Sequence, residues 1–220
     1  MKDSKKNNKV RIWILWGLAA VPMLMSAAVY PFLPDEIPLH WNALGQVDRI
    51  GAKFPGAFIL PAICLLLPLL MGILPRLDPR RENYEKFSGA YYWMRVCFVV
   101  VFGIINAVVL LICLGLASIP VDYIVKLLVG IMIMVIGNLM PKVKHNYFVG
   151  IKTPWTINSE DIWFATHRHG GMVWFAAGLA MSVLAFIPGT ASAYAYFGVI
   201  IFAAFEPMVY SYLSYVKQRA

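Results

Sequence analysis

Residues 137–171 read GNLMPKVKHNYFVGIKTPWTINSEDIWFATHRHGG. Polar and ring-bearing side chains crowd this stretch: Asn138, Lys142, Lys144, His145, Asn146, Lys152, Thr153, Trp155, Thr156, Trp163, Thr166, His167, Arg168 and His169. Pro141, Gly150, Pro154 and Gly171 punctuate it, and apolar runs flank it on both sides. Connections between membrane spans are usually short and chemically bland. This one is neither, so the surrounding chain reads as a membrane scaffold that holds the segment at one face of the bilayer.

Composition supports the scaffold. The chain is 60% hydrophobic and 14% charged, against roughly 25% charged in soluble domains. About six apolar segments approach the ~20 residues that cross a bilayer, near 11–33, 54–75, 89–117, 121–140, 169–187 and 193–216. Hydrocarbon offers no partner for backbone N–H and C=O groups, so each segment is expected to be a helix. The expected fold class is all-α, a polytopic helical membrane protein of about six transmembrane helices. The first apolar run is too long for a cleaved signal peptide. Cys64, Cys97 and Cys113 are isolated within apolar segments, with no CxxC spacing, and predict no disulfide framework.

Charge sets the expected topology. The net charge is +8, and its cations cluster at Lys2, Lys5, Lys6, Lys9 and Arg11, in 76–88, in 141–168, and at Lys217 and Arg219. By the positive-inside rule both termini, 76–88 and 141–168 face the cytoplasm, and 34–53 faces out. This distribution reads as topology with affinity for anionic lipid, not as nucleic-acid binding. The organisation follows as an N-terminal two-helix region (1–75), a linker with the third helix (76–120) and a C-terminal region (121–220).

At the residues quoted above a family resemblance emerges. The pattern GNxMPKxKxNyfxGIKTPWT followed by sxxxWxxTHRxGG resembles the C-terminal signature of the SdpI-type family of bacterial toxin-immunity membrane proteins. PDEIPLHWNALGQVDRIGAK, residues 34–53, resembles that family's N-terminal domain of unknown function, with its IPxHW pattern. The resemblance implies a multi-pass protein of the bacterial cytoplasmic membrane that protects against a secreted peptide toxin. It implies no catalysis and no cofactor. It further implies an outer surface that senses the toxin and an inner surface that captures a small winged-helix repressor.

The outer loop reads as a small hairpin, with Leu39–Trp41 and Gln46–Ile50 flanking a turn at Asn42–Gly45. Glu36, His40, Trp41, Asn42, Asp48 and Arg49, with Asp35, form the candidate recognition surface. The alternative is a rigid cap held by Trp41 and internal ion pairs. In the inner segment Pro141 and Pro154 predict extended chain. Asn158 is the expected helix N-cap, with Asp161 at the third position. A short helix from Ser159 is then expected to carry Ile162, Trp163, Thr166 and His167 towards the membrane surface. Gly170-Gly171 marks a break or a close packing point. Trp155 and Trp163 read as interfacial anchors or as a dock for a soluble partner.

No metal site is expected. His167 and His169, two apart, point about 200° away from each other on a helix, and no HExxH, P-loop, GxSxG or GxGxxG motif occurs. The sharpest single residue is Glu206, ionisable and midway along the last apolar segment, where such residues face a bundle interior or a watery cavity. Glu206, Tyr210 and Ser214 share one helix face. Depth along the helices favours Arg95, roughly 9 Å from the inner end of its span, as the partner of Glu206; otherwise Arg95 snorkels inward. Glu206 makes a small proton-coupled transporter the alternative function, with a membrane-embedded enzyme behind it.

Overall fold

The computed structural model describes residues 2–42, 44–118 and 120–219, with side chains described from Lys9 onward. The basic side chains of Lys2, Lys5 and Lys6, and Ala43 of the expected turn, lie outside the described residues. The element order is α1 (Lys2–Val29), β1 (Glu36–Trp41), β2 (Val47–Ala52), α2 (Lys53–Leu77), α3 (Asn83–Lys86), α4 (Ser88–Cys113), α5 (Val121–Leu139), α6 (Pro154–Asn158), α7 (Glu160–Leu184) and α8 (Thr190–Arg219).

Among the described residues five helices are long and apolar enough to cross a membrane: Lys9–Phe32, Lys53–Leu77, Ser88–Cys113, Val121–Lys142 and Thr190–Arg219. The chain is a polytopic helical membrane protein. The remaining apolar segment, 169–187, falls in α7, whose first half carries Glu160, Asp161, His167, Arg168 and His169. Those groups keep α7 out of the five. Of the two expectations at Gly170-Gly171, a break or a close packing point, the second holds: α7 runs through both glycines to Leu184, and both pack closely.

Two compact units form, residues 1–71 with 95–125 and residues 72–94 with 126–220. In the first, Asn106 is buried on α4 and its amide donates to Ser26 Oγ at 3.2 Å on α1. A buried amide with a partner across helices is a directional tie that lipid-like surroundings do not weaken. Arg95 Nη2 donates to the Pro68 carbonyl of α2 at 2.7 Å. The guanidinium is therefore tied to a neighbouring backbone, where snorkelling alone was one expectation.

The second unit is built on a seam of glycines. Gly130 and Gly137 on α5 face Gly178 and Gly171 on α7. A Cβ at Gly137 would meet Phe175 N at 2.5 Å and Gly171 O at 2.9 Å, and one at Gly171 would meet Gly137 O at 2.8 Å. Both pairs are seven residues apart, about two turns, so they fall on one face of each helix. With no side chains between them the two backbones touch, the packing that small residues allow in membranes. Pro207 adds a second device. It has no N–H to donate to Ala203 four residues back, and the Trp174 indole supplies that bond from α7 at 2.8 Å.

Candidate functional site

Residues 137–171 form a knot of buried hydrogen bonds within the second unit. Asn146 is fully buried. Its Oδ1 accepts from Phe148 N, Val149 N and Tyr84 Oη, and its Nδ2 donates to the carbonyls of Lys144 and Val149, all within 2.7–3.1 Å. An asparagine side chain mimics a peptide unit, so this one amide satisfies a turn that has no regular secondary structure. Asp78 closes the knot from the other side: its carboxylate accepts from Tyr84 Oη at 2.9 Å, Tyr147 N at 2.9 Å and Arg80 N at 2.8 Å. Burial and the Asp78 contact push the Tyr84 phenol well above its ordinary range. The hydroxyl stays a donor, its one proton shared between the Asp78 carboxylate and Asn146 Oδ1.

Thr153 starts α6. Its Oγ1 accepts from Thr156 N at 3.2 Å, and Thr156 Oγ1 accepts from Thr153 N at 2.8 Å, with Pro154 in the first helical turn. Pro154 therefore opens a helix where interruption was expected, because the first turn needs no N–H from it. The N-cap of α7 is Ser159, whose Oγ accepts from Ile162 N. Asn158, the expected cap, instead donates to Pro154 O at 2.8 Å from the end of α6.

Trp163 and His167 do not reach a surface. Both are fully buried, with rings stacked at 4.0 Å. The Trp163 indole donates to Val143 O at 3.0 Å. His167 Nδ1 donates to Trp163 O at 2.8 Å, and its Nε2 accepts from Ile151 N at 3.0 Å. Accepting a backbone N–H requires a lone pair on Nε2, so this geometry holds only for neutral imidazole. Burial, opposed in part by the Trp163 carbonyl, lowers the pKa of His167 to about 4. Gly150, at φ +122°, sits where any Cβ would strike His167 Nε2. His145 is also lowered, by burial and then by the Arg80 charge, and bonds the Ile157 carbonyl at 3.0 Å.

A pH dependence follows. Because the folded pKa is depressed, neutral His167 stabilises the fold fully above the unfolded value of 6.5. That contribution is lost as pH falls from 6.5 towards about 4, on the order of 3 kcal/mol in all. Thermal unfolding of the detergent-purified chain is expected to show a falling midpoint across that window. A flat profile from pH 7 to 4 contradicts the bonding of His167.

Thr166 is buried as well, as are Gly170 and Gly171. Lys142, Lys152, Pro154 and Arg168 are exposed, and so is Asn138 at the end of α5. Lys144 lies 4.9 Å over the Phe164 ring, and Trp155 packs on Tyr212 at 5.1 Å.

The partner of Glu206 is His169, with Nε2 to Oε1 at 2.6 Å. Depth along the helix had favoured Arg95. Tyr210 stacks on the same imidazole at 3.9 Å, so His169 of α7 meets the predicted α8 stripe. Glu206 Oε2 is buried and carries no hydrogen bond. Among the described residues no three His, Cys, Asp or Glu side chains gather as metal ligands.

The hairpin expected within residues 34–53 forms, in the first unit. Ile37 is buried, and a Cβ at Gly56 of α2 would meet Ile37 Cδ1 at 2.6 Å and Leu39 Cδ2 at 2.8 Å, so the inward strand face sits on α2. Asn42 Oδ1 accepts from Leu44 N and Gln46 N at 2.9 and 3.0 Å, which gives this residue the turn itself. Trp41 is half-buried; Glu36, His40, Asp48 and Arg49 are exposed. His40 Nδ1 pairs with Asp48 Oδ1 at 2.6 Å across the strands.

Sequence reading passed over Asp78 and Tyr84, which it placed in a solvated linker. The usable signal was the Asp78-Pro79 pair, a turn initiator amid basic residues.

Comparison with known proteins agrees with this layout. Residues 142–211 match the SdpI/YfhL protein family, and residues 17–71 match a domain of unknown function, DUF1648. The chain is 28% identical over 172 residues to Immunity protein SdpI of Bacillus subtilis (strain 168), covering 78% of this chain and 80% of that protein. It is 27% identical over 88 residues to Uncharacterized membrane protein YbgB of the same organism, covering 40% of this chain and 86% of that one. No solved structure matches.

Proposed function

We propose that this chain, a multi-pass membrane protein that belongs to the SdpI family, confers immunity to a secreted peptide toxin. The observation that carries the reading is similarity to an immunity protein over 78% of the chain, together with family matches at residues 17–71, which hold the hairpin, and 142–211, which hold most of the knot. In this reading the exposed hairpin residues Glu36, His40, Asp48 and Arg49 meet the toxin, while Trp41 and Asn42 hold their frame. The knot is scaffold: Asn146, Thr153, Thr156, Trp163 and His167 spend their polar atoms on buried backbone groups and neighbouring side chains of the second unit. Any repressor captured inside meets what remains exposed, Tyr147, Phe148, Lys152 and Arg168. The site lies in the bacterial cytoplasmic membrane, and the reading needs no catalysis or cofactor.

One observation favours a second reading. The His169–Glu206 pair under Tyr210, with one carboxylate oxygen unbonded, is chemistry suited to moving a proton through a small transporter. Two variants separate the readings. The triple substitution Glu36→Ala, His40→Ala, Asp48→Ala removes only exposed groups, whose pairing contributes little to folding. Toxin survival is expected to fall with this triple variant and to persist with Glu206→Gln at matched membrane levels. The opposite pattern favours transport.

A further inference from the structure

The second unit carries a groove of about 560 Å³ lined by Lys86, Phe87, Gly89, Ala90, Trp93, Leu139, Pro141, Lys142 and Lys144. We propose that it binds the phosphate headgroup of an anionic phospholipid. Two spans meet here, the start of α4 and the end of α5 with the turn after it, so both ends lie at one face of the bilayer. Lys86, Lys142 and Lys144 give the lining its charge. Among the described residues none of the three has an acidic partner: Lys86 donates to Asn83 Oδ1 at 2.8 Å, Lys144 lies over Phe164, and Lys142 is exposed. The rest of the lining is apolar, with Phe87 and Leu139 buried and Trp93 56% exposed. Trp93 is five residues into α4, roughly 8 Å below its start, the depth at which indole rings sit in the interfacial belt.

A soluble phosphate needs the lysines and not the apolar lining. A lipid uses both, with the phosphate at the lysines and the upper acyl chain along Phe87, Trp93 and Leu139. Uncompensated ammonium groups at the ends of spans are also where anionic headgroups concentrate. Gly89 makes the groove testable without charge, since a Cβ there meets nothing within 4 Å. A larger side chain has room to enter the groove and improves helix propensity.

The test uses the full chain in neutral detergent, titrated with dioctanoyl phosphatidylglycerol, dioctanoyl phosphatidylcholine and inorganic phosphate. Binding is read by native mass spectrometry and by the unfolding midpoint. Phosphatidylglycerol is expected to bind far more tightly than phosphatidylcholine. Lys86→Gln, Lys142→Gln, Lys144→Gln together are expected to weaken it about a hundredfold, roughly fivefold for each lysine. Gly89→Leu is expected to abolish retention with the charge intact. A control of equal charge loss, Lys152→Gln, Lys217→Gln, Arg219→Gln, is expected to bind as wild type. Equal loss in that control, retention by Gly89→Leu, or equal binding of inorganic phosphate each overturns the proposal.

Discussion

Asn146→Ala is expected to be among the most damaging single substitutions in the inner segment, although it touches no exposed surface. It strips partners from Phe148 N, Val149 N and the carbonyls of Lys144 and Val149, and one of two from Tyr84 Oη. Each buried polar group left unpaired costs ~1–3 kcal/mol, so a total near 4 kcal/mol is expected after partial relaxation. The unfolding midpoint of the purified chain is expected to drop by about 10 °C. Asn146→Asp separates causes: it keeps the acceptor and loses both donors, and is expected to fall between wild type and alanine. A wild-type midpoint for Asn146→Ala contradicts the account of the knot.

The second large effect is expected at the glycine seam. Gly178→Val drives a branched side chain into the Gly130 carbonyl and the Met134 backbone, where even a Cβ is too close. Neither neighbour is a flexible side chain, so relief requires α5 and α7 to move apart. Overpacking in a well-packed core costs ~1–3 kcal/mol, and backbone contact places this site at or above the upper end. Gly198→Ala on α8 is the comparison, because a Cβ there meets nothing within 4 Å. It is expected to be neutral or stabilising by up to about 1 kcal/mol through helix propensity. Equal effects at the two positions contradict close packing of the seam.

Much of this was legible in the chain itself, and particular residues show where legibility stopped. The hairpin was readable because Ile37, Leu39 and Trp41 alternate with Glu36, Pro38 and His40, and Asn42 and Gly45 bracket a turn. The spans were readable because hydropathy is additive along a helix. The knot was not. RLDPRRENYEK has the composition of a solvated linker, and the Asp78-Pro79 pair marks a turn without marking Asp78 and Tyr84 as buried partners of residues more than sixty positions away. Trp163 and His167 looked interfacial for the same reason. An indole and an imidazole suit a headgroup region as well as they suit a core that supplies carbonyl and N–H partners. Glu206 stood out in the sequence as an ionisable residue midway along the last apolar segment. Its partner was missed because depth along separate helices ignores which helix packs alongside, and α7 brings His169 against α8.

The most direct test is survival of a toxin-sensitive bacterium that expresses this chain and is challenged with the family's secreted peptide toxin. The comparators are an empty vector and the Glu36→Ala, His40→Ala, Asp48→Ala variant, at equal membrane abundance. Protection by the wild-type chain, lost in the hairpin variant, is the predicted result. Killing of wild-type-expressing cells at the same dose as the empty vector contradicts immunity to that toxin.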